Sequence, residues 1–321
     1  MKKIMGFILW FVLVICIPGR AFAWGIATHA YFARELCEKF GITYPDEMIY
    51  GAMMPDMFNL MFDEDFSGYM HDQTHYEFMK VVDNAGDERL KAFAIGFASH
   101  NDSWGADYTA HHNGLTTPGK GYVITKVDLL KPELVSQVKK LLISAEVMEV
   151  IAQSLAESTA PMLAELFVES AVDIMIRRNE DPEIGMSMLN SAQLDEFGVS
   201  SLLETAYAHD LAEQFDMPVL VANQILFAAE QAFRGLIVQY GVIYTQEESE
   251  AIEMLAVMGV AIVESYLDAA LDFEVTVPPE TKDVFKAFLS DHAIPSVEGD
   301  YSAEVAATLE YLEVNLLPVD V

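Results

Sequence analysis

Residues 167–176 read Phe-Val-Glu-Ser-Ala-Val-Asp-Ile-Met-Ile, and this apolar stretch with two carboxylates decides the fold. Side chains four positions apart share one face of an α-helix, so Glu169 and Asp173 predict a narrow acidic stripe on an apolar helix. Further segments with helical apolar periodicity cover 132–158, 160–178, 197–213, 216–241, 246–273, 280–291 and 302–315. Strand-like alternation is scarce. We therefore predict an all-α fold, with helices packed around shared cores.

The amino terminus has the three parts of a secretory signal peptide. Two lysines precede an apolar run over 4–17, and Ala-Phe-Ala at 21–23 forms a small-x-small cleavage site. The alternative is an uncleaved anchor, but the run is shorter than the ~20 residues that a spanning helix needs. We expect cleavage after Ala23 and export to the periplasm or the medium. The new amino terminus, Trp24, would then offer its α-amine and carbonyl as a metal chelate beside His29.

The composition limits the partners and the kind of metal site. The chain has 18 Lys and Arg residues against 50 Asp and Glu residues, a formal net charge of −32. Affinity for nucleic acid depends on contacts from Lys and Arg to phosphates, so this charge argues against a nucleic-acid partner. Cys37 is the only cysteine beyond residue 23. The sequence therefore predicts neither an internal disulfide nor a Cys-rich zinc site after cleavage.

Histidines are concentrated in the N-terminal half. Six of the eight lie between His29 and His112, so we predict any metal chemistry in that region. His71 and His75 are four residues apart and would share a face if both were helical. If Thr74 instead caps a helix, only His75 lies at its start. Of the two, we favour His75 as the ligand.

A long helix predicted over 88–112 would place three metal ligands on one stripe. His100, Asp107 and His111 are separated by seven and four residues, and at about 100° per residue they fall within an arc of roughly 40°. Two imidazoles and a carboxylate are a ligand set that zinc accepts. The alternative is a polar helix face whose histidines only form hydrogen bonds. Asp102 is a competing carboxylate, but on such a helix it lies about 200° from His100.

Three further carboxylates are candidate ligands. Asp56 follows a proline directly after an apolar segment, where the alternative role is a helix cap. Glu169 and Asp173 would be costly to bury among apolar side chains unless they were paired or bound to metal. The alternative for this pair is a stripe that faces solvent.

Together, these residues resemble the zinc-dependent phospholipase C family, which is related to the S1/P1 nucleases. The resemblance rests on the order of short motifs: Trp24 with His29, Gly-Ala-x-x-Pro-Asp at 51–56, Thr74-His75 before an aromatic residue, Ala-Ile-Gly-Phe-Ala-Ser-His at 94–100, then an aspartate, a further histidine and a carboxylate pair. It covers about residues 24–175.

Two positions depart from the family pattern. The family typically has His-x-x-x-Asp, whereas here Trp104 occupies the aspartate position and Asp107 follows three residues later. The secreted phospholipases have a His-x-x-x-Glu pair where this chain has Glu169-x-x-x-Asp173.

The resemblance implies a multi-helix bundle like those of phospholipase C and P1 nuclease, with additional C-terminal helices. We expect a signal peptide at 1–23, a phospholipase C-like helical domain at 24–215 and a C-terminal helical region of unknown role at 216–321. It also implies two or three zinc ions, for which the predicted ligands are Trp24, His29, Asp56, His75, His100, Asp107, His111, Glu169 and Asp173.

The implied activity is hydrolysis of phospholipid phosphodiesters by a water molecule that the metal activates. Asp56 would be a ligand or the catalytic base that orients this water. The expected substrate is a phospholipid or another phosphodiester, reached through transient contact with a membrane surface. Two alternatives remain open, namely a non-catalytic helical protein with a degraded metal site and an S1/P1-like nuclease.

Overall fold

The computed structural model describes residues 24–61, 64–145, 147–193, 198–271 and 277–317. Within these ranges the chain forms fourteen α-helices and no β-strand. The all-α prediction is therefore confirmed. The predicted signal peptide lies outside the described residues, and the predicted boundary after residue 215 stays a prediction.

The N-terminal elements carry most of the histidines. They are α1 (Ile26–Phe40), α2 (Pro45–Met53), the 3₁₀ segment Met54–Leu60, α3 (Glu64–Tyr76), α4 (Met79–Asn84), α5 (Glu88–His100) and the π-helical turn Tyr108–His112. α1 ends at Gly41, whose φ of 65° is a left-handed conformation that glycine adopts without a steric penalty.

The remaining elements lie between residues 122 and 316. They are α6 (Tyr122–Ser144), α7 (Glu149–Asn179), α8 (Ile184–Ala192), α9 (Val199–Gln214), α10 (Val219–Thr245), α11 (Glu248–Leu271), α12 (Thr281–Phe288), the π-helical turn Leu289–Ala293, α13 (Ile294–Val297) and α14 (Tyr301–Leu316). α6 packs along α7. Among the described helices, none combines the length and the apolar character needed to cross a membrane.

The boundary between α6 and α7 differs from the sequence prediction. The periodic segments 132–158 and 160–178 predict a break near residue 159. The chain instead turns before Glu149, and Pro161 lies inside α7. Residues 163–176 of this helix are all buried, so tertiary packing outweighs the cost of about 3 kcal/mol that a helix-interior proline carries.

α2 and α5 approach each other at two glycines. Gly51 of α2 lies against the backbone of α5, and Gly96 of α5 lies against the backbone of α2, so a Cβ at either position would collide with main-chain atoms. The close crossing brings the carbonyl oxygen of Ala52 to 2.8 Å from Nδ1 of His100. The helix crossing thereby orients a candidate metal ligand.

The predicted helix over 88–112 is wrong in its second half, because α5 ends at His100. Asn101 leaves the helical conformation, and its side-chain oxygen accepts hydrogen bonds from the backbone N–H groups of residues 103–105. Asparagine side chains that bond to the backbone nearby compete with helix formation. The chain turns here and resumes as the π-helical turn, so His100 and His111 do not share a helical stripe.

Candidate metal centre

Asp107 lies at the centre of a buried cluster of histidines. Its Oδ1 is 3.2 Å from Nε2 of His29, and its Oδ2 is 3.3 Å from Nε2 of His75 and 3.0 Å from Nε2 of His100. All four residues are at most 2% exposed. The two oxygens of one carboxylate thus face different imidazoles, and together these groups are of the nitrogen and oxygen type that zinc accepts.

Asp56 completes this inner cluster. Its carboxylate oxygens lie 3.9 Å from Nε2 of His75 and 3.8 Å from Nε2 of His100, beyond hydrogen-bond range. Ligand atoms of Asp56, His75 and His100 nevertheless all lie within 4.8 Å of one another, as do those of His29, His100 and Asp107. Zinc binds nitrogen and oxygen at about 2.0–2.2 Å, so groups of this size fit around an ion.

Hydrogen bonds fix the rings of two of these histidines. His100 donates from Nδ1 to the carbonyl of Ala52, and Nδ1 of His75 lies 2.8 Å from the hydroxyl of Thr74. In both rings Nε2 is then directed at Asp107. Such bonds from the second ring nitrogen are typical of metal-ligating histidines, because they fix the orientation of the ring.

Several buried polar atoms in the inner cluster have no hydrogen bond. Nε2 of His29, Nε2 of His100 and Oδ1 of Asp107 all lack a hydrogen-bond partner among the described residues. Nε2 of His29 nevertheless lies 3.2 Å from Oδ1 of Asp107, and Nε2 of His100 lies 3.0 Å from its Oδ2. Buried polar groups are rarely left unpaired. A cation between these atoms would satisfy all three, so the residues present fit a metal.

The pKa values show how burial and charge act on the inner cluster. Burial lowers the pKa of His29 and of His75 to about 4, so both rings are neutral at pH 7. Burial also disfavours the charged form of His100, but Asp107 and Asp56 raise its pKa to about 9. Burial raises the pKa of Asp56 to about 7. Burial acts on Asp107 in the same sense, but His100 and the other imidazoles hold its pKa well below the usual range.

His111 belongs to a second, outer cluster. Its Nε2 is 3.0 Å from Glu165, and its Nδ1 is 3.4 Å from Asp102. Nε2 of His112 lies 3.3 Å from the same oxygen of Asp102. The side chains of His111 and His112 are 17% and 50% exposed, whereas the inner histidines are buried. The outer cluster is therefore the side from which solvent reaches the site.

Asp102 and Glu165 are functional candidates that the sequence reasoning did not select. A continuous helix over 88–112 would place Asp102 on the side away from His100, but α5 ends at His100, before Asp102. Glu165 lies one helical turn before Glu169 on α7, and the same four-residue spacing could have indicated it. Burial opposes protonation of His111, but the carboxylates of Asp102 and Glu165 raise its pKa well above the usual range.

Glu169 lies close enough to both clusters for the charges of Asp56 and His111 to act on its carboxyl group. It is 4% exposed, and its Oε1 has no hydrogen-bond partner within the described part of the chain. Burial raises its pKa well above the usual range, and the negative charges of Glu165 and Asp56 act in the same direction. A buried carboxylate oxygen in this setting fits a metal ligand.

Asp173 has a different role from the ligand predicted from the sequence. One oxygen accepts hydrogen bonds from the backbone N–H and hydroxyl of Thr28, at 2.8 and 2.6 Å, and the other accepts from the N–H of Ala27 and the hydroxyl of Tyr244. Both oxygens are used at the N-terminus of α1, where a carboxylate satisfies free N–H groups and complements the helix dipole. The predicted pair was Glu169 and Asp173. The carboxylates of α7 that lie near the histidine clusters are instead Glu165 and Glu169, one helical turn earlier.

Trp24 and His71 complete the set of predicted positions. The indole Nε1 of Trp24 donates to the carbonyl of Ala106 and to the hydroxyl of Thr109, both at 3.0 Å, and its ring stacks on Tyr122. The main-chain chelate depends on cleavage after residue 23 and stays a prediction. His71 stacks on His75, but no potential ligand group among the described residues includes it.

The fold and the two clusters define an all-α protein with a histidine- and carboxylate-lined candidate metal centre. The family model for zinc dependent phospholipase C matches residues 28–132, which confirms the predicted resemblance over that segment and supports a metal-dependent phospholipid hydrolase. No curated protein and no solved structure matches the chain. Because the matched segment ends before α7, the assignment of Glu165 and Glu169 rests on geometry alone.

Proposed function

We propose that this protein is an exported, zinc-dependent hydrolase of phospholipid phosphodiesters, of the phospholipase C type. The observation that carries the proposal is the cluster around Asp107, whose two oxygens face His29 on one side and His75 with His100 on the other. The cluster lies inside the segment that matches the family.

The residues of both clusters would hold the ions. Asp107, Asp56 and the three inner histidines supply one part of the centre, and His111, Glu165 and Glu169 supply the other. We propose two or three zinc ions on this ligand set. When bound, zinc supplies positive charge that stabilises developing negative charge on phosphate and lowers the pKa of a coordinated water.

The side chains of the centre also control access and proton transfer. Because the inner histidines are buried, the phosphodiester would enter beside the partly exposed His111 and His112. Burial raises the pKa of Asp56 to about 7, which suits a carboxylate that accepts a proton at neutral pH. We assign Asp56 the role of orienting the attacking water and taking its proton on a carboxylate oxygen.

The proposed reaction is a hydrolysis at phosphorus. A bond forms between the water oxygen and phosphorus, and the bond between phosphorus and the diacylglycerol oxygen breaks. The diacylglycerol oxygen takes up one proton as it leaves, which balances the proton that the water gives to Asp56, and the phosphorylated headgroup is the second product.

The substrate test compares two phosphate esters. We expect the mature protein to release phosphorylated headgroup from short-chain phosphatidylcholine, to lose this activity with a chelator and to regain it with zinc. It should not release phosphate from a 3′-nucleotide, because its strong negative charge disfavours nucleic-acid substrates. Bound zinc without hydrolysis of either ester would favour the non-catalytic alternative, and 3′-nucleotidase activity would favour the nuclease.

The export proposal is tested at the amino terminus. Amino-terminal sequencing of the exported protein should begin at Trp24, because only this cut leaves the α-amine of Trp24 free to act as a ligand. A variant in which Ala23→Arg blocks cleavage should retain residues 1–23 and bind less zinc per chain. Sequencing that begins at Gly25 or later would exclude the proposed chelate.

A further inference from the structure

The C-terminal helix α14 holds the loop that follows the candidate ligands of the 107–112 segment. Glu304 is fully buried, and its carboxylate accepts hydrogen bonds from the backbone N–H of Leu115, at 2.6 Å, and of Thr116, at 2.7 Å. It also accepts a bond from the hydroxyl of Thr116. Leu115 and Thr116 precede Glu304 by 189 and 188 residues along the chain. A buried carboxylate thus fixes a loop backbone only a few residues after His111.

A second contact from α14 reaches further into the site. The hydroxyl of Thr308 donates to the hydroxyl of Thr109, at 3.1 Å, and Thr109 donates to the carbonyl of Ala106, at 2.7 Å. Thr109 also accepts a bond from the indole N–H of Trp24. The one proton and both lone pairs of this hydroxyl are therefore used. Thr109 lies two residues from Asp107 and two residues from His111.

Two contacts at the ends of α14 reach the π-helical turn and α6, the helix that follows it. Asp300, directly before α14, accepts hydrogen bonds from Tyr122 and Lys126, both at 2.7 Å. Near the other end, Tyr311 stacks on Tyr108, the first residue of the π-helical turn. π-Helical turns are rare and are often found at functional sites. Here the π-helical turn follows Asp107 and carries His111, and the C-terminal helix packs against its first residue.

We infer that α14 is a positioning element of the metal centre, in which Thr308 and Glu304 set the geometry of the segment that carries Asp107 and His111. This inference rests on the proposed metal centre and is independent of the substrate. Neither residue is a candidate ligand, and both lie outside the segment that matches the family. The C-terminal region therefore belongs to the site that the N-terminal residues form.

Paired substitutions at Thr308 test the inference. Thr308→Val keeps the shape and removes the hydroxyl, whereas Thr308→Ser keeps the hydroxyl. We expect Thr308→Val to weaken zinc affinity about tenfold, as for other groups that orient ligands, and Thr308→Ser to restore most of it. Zinc affinity is measured by competition with a chromophoric chelator. The absorption spectrum of the cobalt-substituted protein should shift in the valine variant only.

The control separates positioning from a loss of packing. Thr281 is also fully buried in the C-terminal region, and its hydroxyl has no hydrogen-bond partner within the described residues. Thr281→Val should leave zinc affinity and the cobalt spectrum unchanged. If Thr308→Val melts earlier without zinc but binds zinc like the wild type, the hydroxyl is only structural and the inference is overturned.

A second pair of variants tests the inference independently, in case Thr308→Val does not fold. Glu304→Gln removes the negative charge that holds the backbone at 115–116, and Glu230→Gln is its control. Glu230 is equally buried and accepts bonds from Tyr50 and Arg234. Only Glu304→Gln should weaken zinc affinity; equal affinities for both would overturn the inference. If the wild type itself binds no zinc, the proposed metal centre fails together with the inference, whereas zinc binding without hydrolysis removes only the proposed activity.

Discussion

Asp107→Asn is expected to remove most of the bound zinc and to lower phospholipid hydrolysis by more than about 100-fold. Residues that only orient ligands typically cost 10- to 100-fold, and Asp107 is placed to be a ligand itself. Its two oxygens face His29 and the pair His75 and His100. Asparagine keeps the shape but has one oxygen, no charge and an N–H₂ group that would face an imidazole nitrogen. Zinc content by elemental analysis and phosphatidylcholine turnover are the measurements.

The charge change should also appear in the metal-free protein. Asp107 and Asp56 together raise the pKa of His100 to about 9, so Asp107→Asn should lower that pKa, as followed by NMR titration. Asp72→Asn is the control, because this aspartate is largely exposed and lies beside His71 on α3. Wild-type zinc content in Asp107→Asn would mean that Asp107 is not a metal ligand.

The sequence predicted much of the inner cluster because the residue types are informative there. Histidines and aspartates that recur within apolar, helix-forming segments are costly to bury without a partner. His29 was selected from the sequence for its place beside the expected new amino terminus, His75 for its spacing and His100 for its helical stripe, and the structure brings the three together. Asp107 was selected from a continuous helix that the structure does not contain. The turn at Asn101 brings Asp107 back toward His100. Asp107 therefore does lie beside His100, although the helix on which its selection was based does not exist.

The assignment on α7 shows what periodicity leaves undetermined. Glu165, Glu169 and Asp173 are spaced by four and therefore share one helical face. Which of them point toward the histidines depends on where the N-terminus of α1 meets α7, a contact between segments about 145 residues apart. Local sequence carries no signal for such a contact. For the same reason no role was assigned to α14 from the sequence, since Glu304 and Thr308 contact residues in the 109–116 region, at least 188 positions earlier in the chain.

The π-helical turn is a further feature that patterns do not reveal. The segment Tyr108–His112 has the residues of an ordinary helix end, and a regular α-helix was expected there. The bonds from Thr308 and Glu304 that hold the surrounding chain come from the opposite end of the sequence. The fold class followed from composition and periodicity, whereas the precise placement of the outer ligands follows from tertiary contacts.

Glu169→Gln and Asp173→Asn should have opposite effects, although the two residues are one helical turn apart. Glu169→Gln should lower zinc content and hydrolysis, because it removes a charged oxygen that lacks a hydrogen-bond partner in the described structure. Asp173→Asn should retain zinc but destabilise the fold by about 2 kcal/mol, since it disrupts four hydrogen bonds to a buried carboxylate. Elemental analysis and urea unfolding separate the two outcomes.

The pH dependence of the metal-free protein gives Glu169→Gln a second signature. Burial raises the folded-state pKa of Glu169 well above its unfolded value near 4.5, so the folded state binds the proton more tightly. The stability from this group is fully present below about pH 4.5 and is lost as pH rises toward the folded pKa, by about 1.4 kcal/mol per pH unit. Glu169→Gln lacks this loss. Without zinc it should match the wild type near pH 4.5 and become progressively more stable than the wild type above it. Parallel stability curves together with wild-type zinc content would instead assign Glu169 to a solvated stripe, and the ligands would then lie between Trp24 and His112, with only Glu165 added from α7.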